Sequence, residues 1–257
     1  MSQPNNPFVW YELLTTDTTA AAAFYRSVVG WETRDSGMPG MDYMLLQTQG
    51  VDIGGLMDLP DELRAMHVPP CWTGYVGVDD VDAYAARVTA AGGQVKRAAQ
   101  DIPGIGRFAV VNDPYGASFI LFKGHGEPSP APRVPETPGQ IGWHELHAGD
   151  GPGAFAFYSG LFGWTKAEAM DMGPLGVYQM FAIDGVPVGG MMTKMVEVPQ
   201  PFWAYYINVV ALDNAIAKVT EGGGKVLVGP QQVPGGSWIA NGIDPQGAFF
   251  ALVAPQR

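Results

Sequence analysis

Trp10-Tyr11-Glu12-Leu13 and Trp143-His144-Glu145-Leu146 are nearly the same word written twice, 133 residues apart. Phe24-Tyr25 and Phe157-Tyr158 keep that offset, and so do Gly30-Trp31 and Gly163-Trp164. Further along, Gly54-Gly55 answers Gly189-Gly190 at an offset of 135. Trp72, Tyr75, Pro103-Gly104, Asp113-Pro114 and Gly116-Ala117 recur at an offset of 131, as Trp203, Tyr206, Pro234-Gly235, Asp244-Pro245 and Gly247-Ala248. So many matched Trp, Gly and Pro positions in one order establish an internal duplication with short loop changes between the copies.

The copies span 7–123 and 140–254, each far longer than a solenoid repeat. Between them, 124–139 carries Pro128, Pro130, Pro132, Pro135 and Pro138, the composition of an extended, semi-rigid linker. Each copy divides again. In the first, Phe8 to Thr15 reads as a strand, and Asp17 offers a cap to a helix over Ala20 to Val29 that Gly30 closes. Strands are expected at Trp31 to Arg34, Tyr43 to Thr48 and Val51 to Met57. The pattern then restarts. A strand over Thr73 to Val78 leads to a helix capped by Asp79-Asp80 and stopped by Gly92-Gly93, and strands near Gln94 to Ala98, Phe108 to Asn112 and Ser118 to Phe122 follow. The fold class is α+β, with four βαβββ units in two tandem modules.

The composition excludes several functions. The chain has 257 residues, 47% hydrophobic and 15% charged, so it can bury real cores and is not a disordered segment. Its formal net charge of -11 repels phosphate backbones and anionic lipid, so no nucleic-acid or membrane partner is expected. No stretch approaches the ~20 apolar residues of a membrane span. Met1 to Pro7 lack a basic segment and an apolar run, so no secretory signal is expected there, and the cytoplasm is the expected compartment. The single cysteine, Cys71, can neither close an internal disulfide nor build a thiolate cluster, and reads as a small apolar residue at a strand entry. Gly222-Gly223-Gly224 follows a helix, whereas phosphate-binding glycines precede one. Neither a hydrolase elbow nor a P-loop is present.

With these words in this order, the chain resembles the vicinal oxygen chelate superfamily, which includes glyoxalase I, bleomycin- and fosfomycin-resistance proteins and extradiol dioxygenases. The words that carry the resemblance are the strand leading to Asp17, Phe24-Tyr25, Gly30-Trp31, Val78-Asp79-Asp80 and Asp113-Pro114-Tyr115-Gly116-Ala117, with Phe157-Tyr158, Gly163-Trp164 and Asp244-Pro245-Gln246-Gly247 in the second copy. It implies that βαβββ units pair as half-barrels around a cavity, either within a copy or across copies. It says little about chemistry, which a fold alone does not fix.

The resemblance also implies a divalent metal held by four side chains, usually His and Glu. At the matching positions this sequence has Trp10 and Trp143 on the first strand, the Gly54-Gly55 and Gly189-Gly190 pairs, Thr73 and Ala204, and Ile120 and Ala251. None is a good imidazole or carboxylate donor. A one-residue slip would turn side chains to the opposite face. No metal is expected at the usual place and no cofactor is predicted, although Glu145 and His147 could hold a divalent ion at a displaced site.

Strand parity places Glu12 and Leu14 on the face of Trp10, and Glu145 and His147 on the face of Trp143. A carboxylate inside an apolar barrel is either a ligand anchor or general base, or a buried group satisfied by backbone or a tyrosine. Its presence in both copies favours the structural role. Tyr75 and Tyr206 could offer phenols to these carboxylates or to a ligand. Asn208 stands where the first copy has Gly77, so the second cavity is the more polar. Glu145 and His147 are the candidate acid–base pair. Trp10, Glu12, Tyr75, Trp143, Tyr206 and Asn208 are the candidate ligand-binding residues. His67 and His125 are expected in solvated loops.

The reading that results is a glyoxalase/bleomycin-resistance-like protein binding a small organic molecule in aromatic cavities without a metal, as a monomer or homodimer. The competing readings are a lyase or isomerase using Glu145 and His147, and a pair in which one module is a degenerate structural partner of the other.

Overall fold

The computed structural model describes residues 6–38, 40–126 and 136–257, so most of the linker, with four of its five prolines, lies outside the described residues. The first βαβββ unit comprises β1 (Phe8–Thr15), α1 (Thr18–Val29), β2 (Glu32–Asp35), β3 (Tyr43–Thr48) and β4 (Val51–Asp58). A short helix, α2 (Asp61–Ala65), follows. The second unit is β5 (Cys71–Gly77), α3 (Val81–Ala90), β6 (Gln94–Ile102), β7 (Gly106–Asn112) and β8 (Ser118–Gly124). The second copy repeats the order with β9 (Ile141–Ala148), α4 (Gly151–Phe162), β10 (Thr165–Asp171), β11 (Val177–Ile183) and β12 (Val186–Thr193). It ends with β13 (Phe202–Asn208), α5 (Leu212–Glu221), β14 (Lys225–Gln232), β15 (Trp238–Ile243) and β16 (Phe249–Ala254).

The strands belong to two eight-stranded sheets, β1–β8 and β9–β16. In each unit the first strand pairs in parallel with the fourth: β1 with β4, β5 with β8, β9 with β12 and β13 with β16. A parallel pair cannot be closed by a tight turn, which is why a helix follows every first strand. Asp17 and Asp80 cap α1 and α3 by accepting from Ala20 N at 2.9 Å and Ala83 N at 3.0 Å. Helix α1 turns Ala21, Phe24, Tyr25 and Val28 inward, the spacing of one helical face. Gly30 and Gly163 end α1 and α4 at φ 88° and 75°, a left-handed turn that explains the repeated Gly-Trp word. Among the described residues no helix is long and apolar enough to cross a membrane.

The chain divides into two compact units that cut across the sequence copies. One holds 6–9, 74–126 and 143–204, and the other 10–38, 40–73, 136–142 and 205–257. Most of each compact unit is one βαβββ unit from each copy, which resolves the pairing that the sequence leaves open.

The duplicated words are the contacts that make this exchange. In the first compact unit, Trp203 Nε1 donates to Tyr158 Oη at 3.0 Å, and Tyr158 Oη donates to Asp113 Oδ2 at 3.3 Å. In the second, Trp72 Nε1 donates to Tyr25 Oη at 2.9 Å, and Tyr25 Oη donates to Asp244 Oδ2 at 3.1 Å. Each chain of bonds runs from one copy's helix tyrosine to the other copy's Asp-Pro turn. The turns are held by their own aspartates: Asp113 Oδ1 accepts from Tyr115 N and Ala117 N, and Asp244 Oδ1 from Gln246 N and Ala248 N. Burial pushes the carboxyls of Asp113 and Asp244 above the ordinary aspartate value, and these hydrogen bonds oppose that rise.

Aromatic packing surrounds both links. In the first compact unit Trp164 stacks on Phe181, with centroids 4.6 Å apart, and on Tyr158 at 5.6 Å. In the second, Tyr25 meets Trp31 at 5.5 Å and Phe24 meets Phe250 edge-on at 5.7 Å. Trp31 Nε1 donates to Gly139 O at 2.7 Å and Trp164 Nε1 to Asn6 O at 2.9 Å, so each buried indole also satisfies its one donor.

Candidate functional site

The two faces of β9 differ in burial. His144, Leu146 and Ala148 are buried, whereas Trp143, Glu145 and His147 are half-buried on the opposite face. The parity read from the sequence places these three side chains together, and a chain of hydrogen bonds joins two of them. Trp143 Nε1 donates to Tyr178 Oη at 2.7 Å, and Tyr178 Oη donates to Glu145 Oε2 at 3.0 Å. The other carboxylate oxygen, Oε1, lies 2.9 Å from His147 Nε2, with the two side chains 13% and 14% exposed. That approach is close but out of line for a hydrogen bond, and Nε2 is otherwise without a partner. The His147 ring stacks on Phe202 with centroids 4.7 Å apart and planes within 11°.

The first copy repeats the chain of bonds on β1 and β3. Trp10 Nε1 donates to Tyr43 Oη at 2.9 Å, and Tyr43 Oη is hydrogen-bonded to Glu12, which is 8% exposed. Burial, then the Glu12 charge, pushes the Tyr43 phenol far above its usual value, so it stays a donor to the carboxylate. The outer part of the face differs. Leu14 stands in the place of His147, and Cys71 in the place of Phe202. Burial pushes the Cys71 thiol up, Thr73 opposes this through a hydrogen bond, and Glu12 adds to the rise. A thiol held protonated is a poor nucleophile.

Tyr43 and Tyr178 were not singled out from the sequence. Their signal was present, since they share the 135-residue offset of the glycine pairs. The glycines are why these tyrosines can lie as they do. A Cβ at Gly55 would overlap the Tyr43 hydroxyl and ring, and one at Gly190 would overlap the Tyr178 ring. Gly54 is forced by the backbone itself, since a Cβ there would sit 2.6 Å from Tyr11 O.

The other candidates fall elsewhere. Tyr75 is buried in the first compact unit, edge-on to Phe122 at 5.8 Å and in register with Ile120. Tyr206 and Asn208 are buried in the second compact unit, with Tyr206 opposite Ala251. Asn208 ties down the end of the linker. Its Nδ2 donates to Thr137 O at 3.2 Å, its backbone O accepts from Gly139 N, and its backbone N donates to Gln140 O. His144, on the buried face of β9, stacks on Phe8 at 4.3 Å, with Nδ1 2.8 Å from Val188 O. His67 and His125 are exposed. Met191 and Met192 fill core, and Met195 is exposed.

The donor set does not fit the four-ligand divalent centre that the fold suggests. Two of its positions are indoles engaged with tyrosines, two are glycine pairs of which one member each lies under those same rings, and the rest are Thr73, Ala204, Ile120 and Ala251. Among the described residues no three His, Cys, Asp or Glu side chains group to hold an ion. One open concavity is lined by Asp35, Gly37, Met38 and Gly40 to Asp42 and another lies on the outer side of α1, and neither is lined by Glu12 or Glu145.

Residues 8–121 match the family model described as Glyoxalase/Bleomycin resistance protein/Dioxygenase superfamily. A Mycobacterium tuberculosis protein named "Putative glyoxylase CFP32" is 33% identical over 96% of this chain and 94% of its own. The Streptomyces peucetius anthracycline biosynthesis protein DnrV is 33% identical over 95% of this chain and 91% of its own. Among solved structures, the Mn(II)-bound glyoxalase of Novosphingobium aromaticivorans aligns with a TM-score of 0.63 at 17% identity, covering 99% of this chain and 83% of that one. The 2,2',3-trihydroxybiphenyl 1,2-dioxygenase of Sphingomonas wittichii aligns at 0.66 and 14% identity, covering 98% and 91%. With relatives a third identical along almost their whole length, and with the duplicated βαβββ order in place, the chain belongs to the glyoxalase/bleomycin resistance protein/dioxygenase superfamily.

Proposed function

We propose that this protein binds a small organic molecule on its Trp–Tyr–Glu faces, chiefly the Trp143–Tyr178–Glu145 face of the second copy, without a divalent metal at the family's usual place. The observation that carries this reading is the half-buried carboxylate of Glu145. One oxygen is fixed by Tyr178, which the Trp143 indole bonds in turn, and the other lies beside His147, on which the Phe202 ring stacks. Aromatic walls with a few placed polar groups are the usual make-up of a small-molecule site. The relatives' names point the same way, since one is called a glyoxylase and the other takes part in making anthracyclines, which are planar aromatic compounds.

A ligand screen by thermal shift tests it, using planar hydroxyquinones and adducts of 2-oxoaldehydes with thiols as probes. Hits are then titrated by tryptophan fluorescence. Saturable binding that weakens about 10-fold or more in Glu145→Gln is expected, since a hydrogen bond to a charged group contributes about 1.5–3 kcal/mol. Binding unaffected by Glu145→Gln and Trp143→Phe refutes the assignment of the face. Elemental analysis of protein purified without chelators or a histidine tag is the companion measurement. Stoichiometric Ni, Zn, Fe or Mn would overturn the metal-free part.

The 2.9 Å approach of His147 to Glu145 favours a second reading, a lyase or isomerase in which this pair moves a proton on the bound molecule. Turnover of a screened compound that is lost in both Glu145→Gln and His147→Gln would support it.

A further inference from the structure

We infer that Phe202 is a positioning residue. Its ring holds the His147 imidazole against Glu145, and this pairing makes the second copy's face, rather than the first copy's, the one that handles the ligand. The inference rests on the proposed ligand-binding face and adds a residue to it. The geometry is direct. The two rings are nearly parallel at 11° and 4.7 Å, and the stacked imidazole has Nε2 2.9 Å from Glu145 Oε1. The stack is what fixes the ring angle, because Nε2 is not aligned with Oε1 for a hydrogen bond.

Phe202 stands at a strand entry. It opens β13 directly after buried Pro201, whose ring fixes its own φ and limits the conformations open to the chain at that entry. The first copy keeps the rest of the device, with Trp10, Tyr43 and Glu12 in place of Trp143, Tyr178 and Glu145. It differs at both members of the stack together. Leu14 replaces the imidazole, and Cys71, also after a proline, replaces the ring. An imidazole and its stacking partner are thus present together or absent together, as expected if each is useful only with the other.

The test uses the full chain with isotope-labelled histidine, in which four imidazoles give four sets of signals and His147→Gln assigns the one of interest. In the unaltered protein the His147 ring protons are expected upfield, shifted by the face of Phe202, with ring nitrogen shifts of a single orientation. Phe202→Leu should abolish the upfield shift and average the nitrogen signals, and Phe202→Tyr should restore both. His144, stacked on Phe8 in the same compact unit, is the control and should not move. His147 signals that stay put in Phe202→Leu, or that move only together with those of His144, overturn the inference. Should Phe202→Leu fail to fold, the first copy decides. Leu14→His with Cys71→Phe should give a new upfield imidazole and Leu14→His alone should not, and equal spectra would overturn the inference. All of this is read without ligand, so a failed ligand screen and a failed stack are separate results.

Discussion

Replacing Tyr158 by Phe removes one oxygen atom and, with it, two hydrogen bonds, one of which, to Asp113, spans the sequence copies. Trp203 is 4% exposed, so its Nε1 loses its acceptor where water cannot replace it. An unsatisfied buried donor costs about 1–3 kcal/mol. Asp113 loses a weaker bond at 3.3 Å and keeps two backbone donors on its other oxygen. The total expected for Tyr158→Phe is about 3 kcal/mol. Tyr25→Phe cuts the matching link, but Trp72 is only half-buried and its N–H can turn to water, so about 1.5 kcal/mol is expected. At roughly 3 °C per kcal/mol for a chain of this size, the midpoints should fall by about 9 °C and about 5 °C.

The pH dependence separates this mechanism from simple loosening. The phenol holds the Asp113 carboxyl down against the rise that burial causes, so its removal raises the folded-state value further. A folded pKa above the unfolded one means that stability falls as pH rises from near the ordinary aspartate value through the folded value. The penalty of Tyr158→Phe should therefore be smaller at pH 4 than at pH 7, as read by urea unfolding at the two pH values. A Tyr158→Phe penalty no larger than that of Tyr25→Phe, or one that grows on acidification, refutes the argument.

Other outcomes follow from the same geometry. Gly190→Ala puts a methyl group into the Tyr178 ring, so it should cost about 1–3 kcal/mol in urea unfolding, whereas the same change at Gly160, inside α4 where a Cβ meets nothing, should be neutral or stabilise by up to about 1 kcal/mol. Cys71 should react with a thiol-disulfide reagent at pH 8 far more slowly in the folded protein than in urea, because burial holds the thiol protonated, and equal rates would contradict that. Asn208→Ala should lower stability by about 1 kcal/mol by removing one of two donors to Thr137 O, which keeps Gln140 N, and should leave ligand affinity unchanged if Asn208 serves the linker alone.

The elements were legible in the sequence because each carried its own punctuation. Asp17 and Asp80 marked helix starts and the Gly-Trp words marked helix ends, so α1 differs from expectation only by Thr18 and Thr19 at its first turn. The short α2 was missed, since a five-residue helix after Pro60 buries no residue and so carries no hydrophobic period. The exchange of units between copies was not legible for a physical reason. Each copy contains a Trp, a helix Tyr and an Asp-Pro turn, so the bonds could close within a copy or across copies with the same chemistry. Trp143, Glu145 and His147 were found by strand parity alone. Tyr43 and Tyr178 were not, because an isolated tyrosine in a strand looks like packing until the glycine beneath it is seen to make room for the ring.

Comparing the copies with each other then separates what holds the fold from what serves the site. Every member of the two Trp–Tyr–Asp links occurs in both copies, as do the indoles bonded to Gly139 O and Asn6 O and the glycines under Tyr43 and Tyr178. These are the groups whose loss leaves a buried donor or a buried overlap, and either would destabilise whichever compact unit suffered it. The Trp–Tyr–Glu chains fall in this class too, so Glu12 and Glu145 both have a structural use, since each carboxylate anchors a phenol that fills the space over Gly55 or Gly190. The imidazole of His147 has no such use. Its Nε2 has no aligned partner, and Leu14 fills the same position in the first copy without leaving a polar group to satisfy. A half-buried polar group that the fold does not require, held beside a carboxylate by an aromatic ring also unique to its copy, is explained by what it does for a bound molecule. The effects of Glu145→Gln and His147→Gln should accordingly divide, with the first lowering both stability and ligand affinity and the second lowering affinity alone.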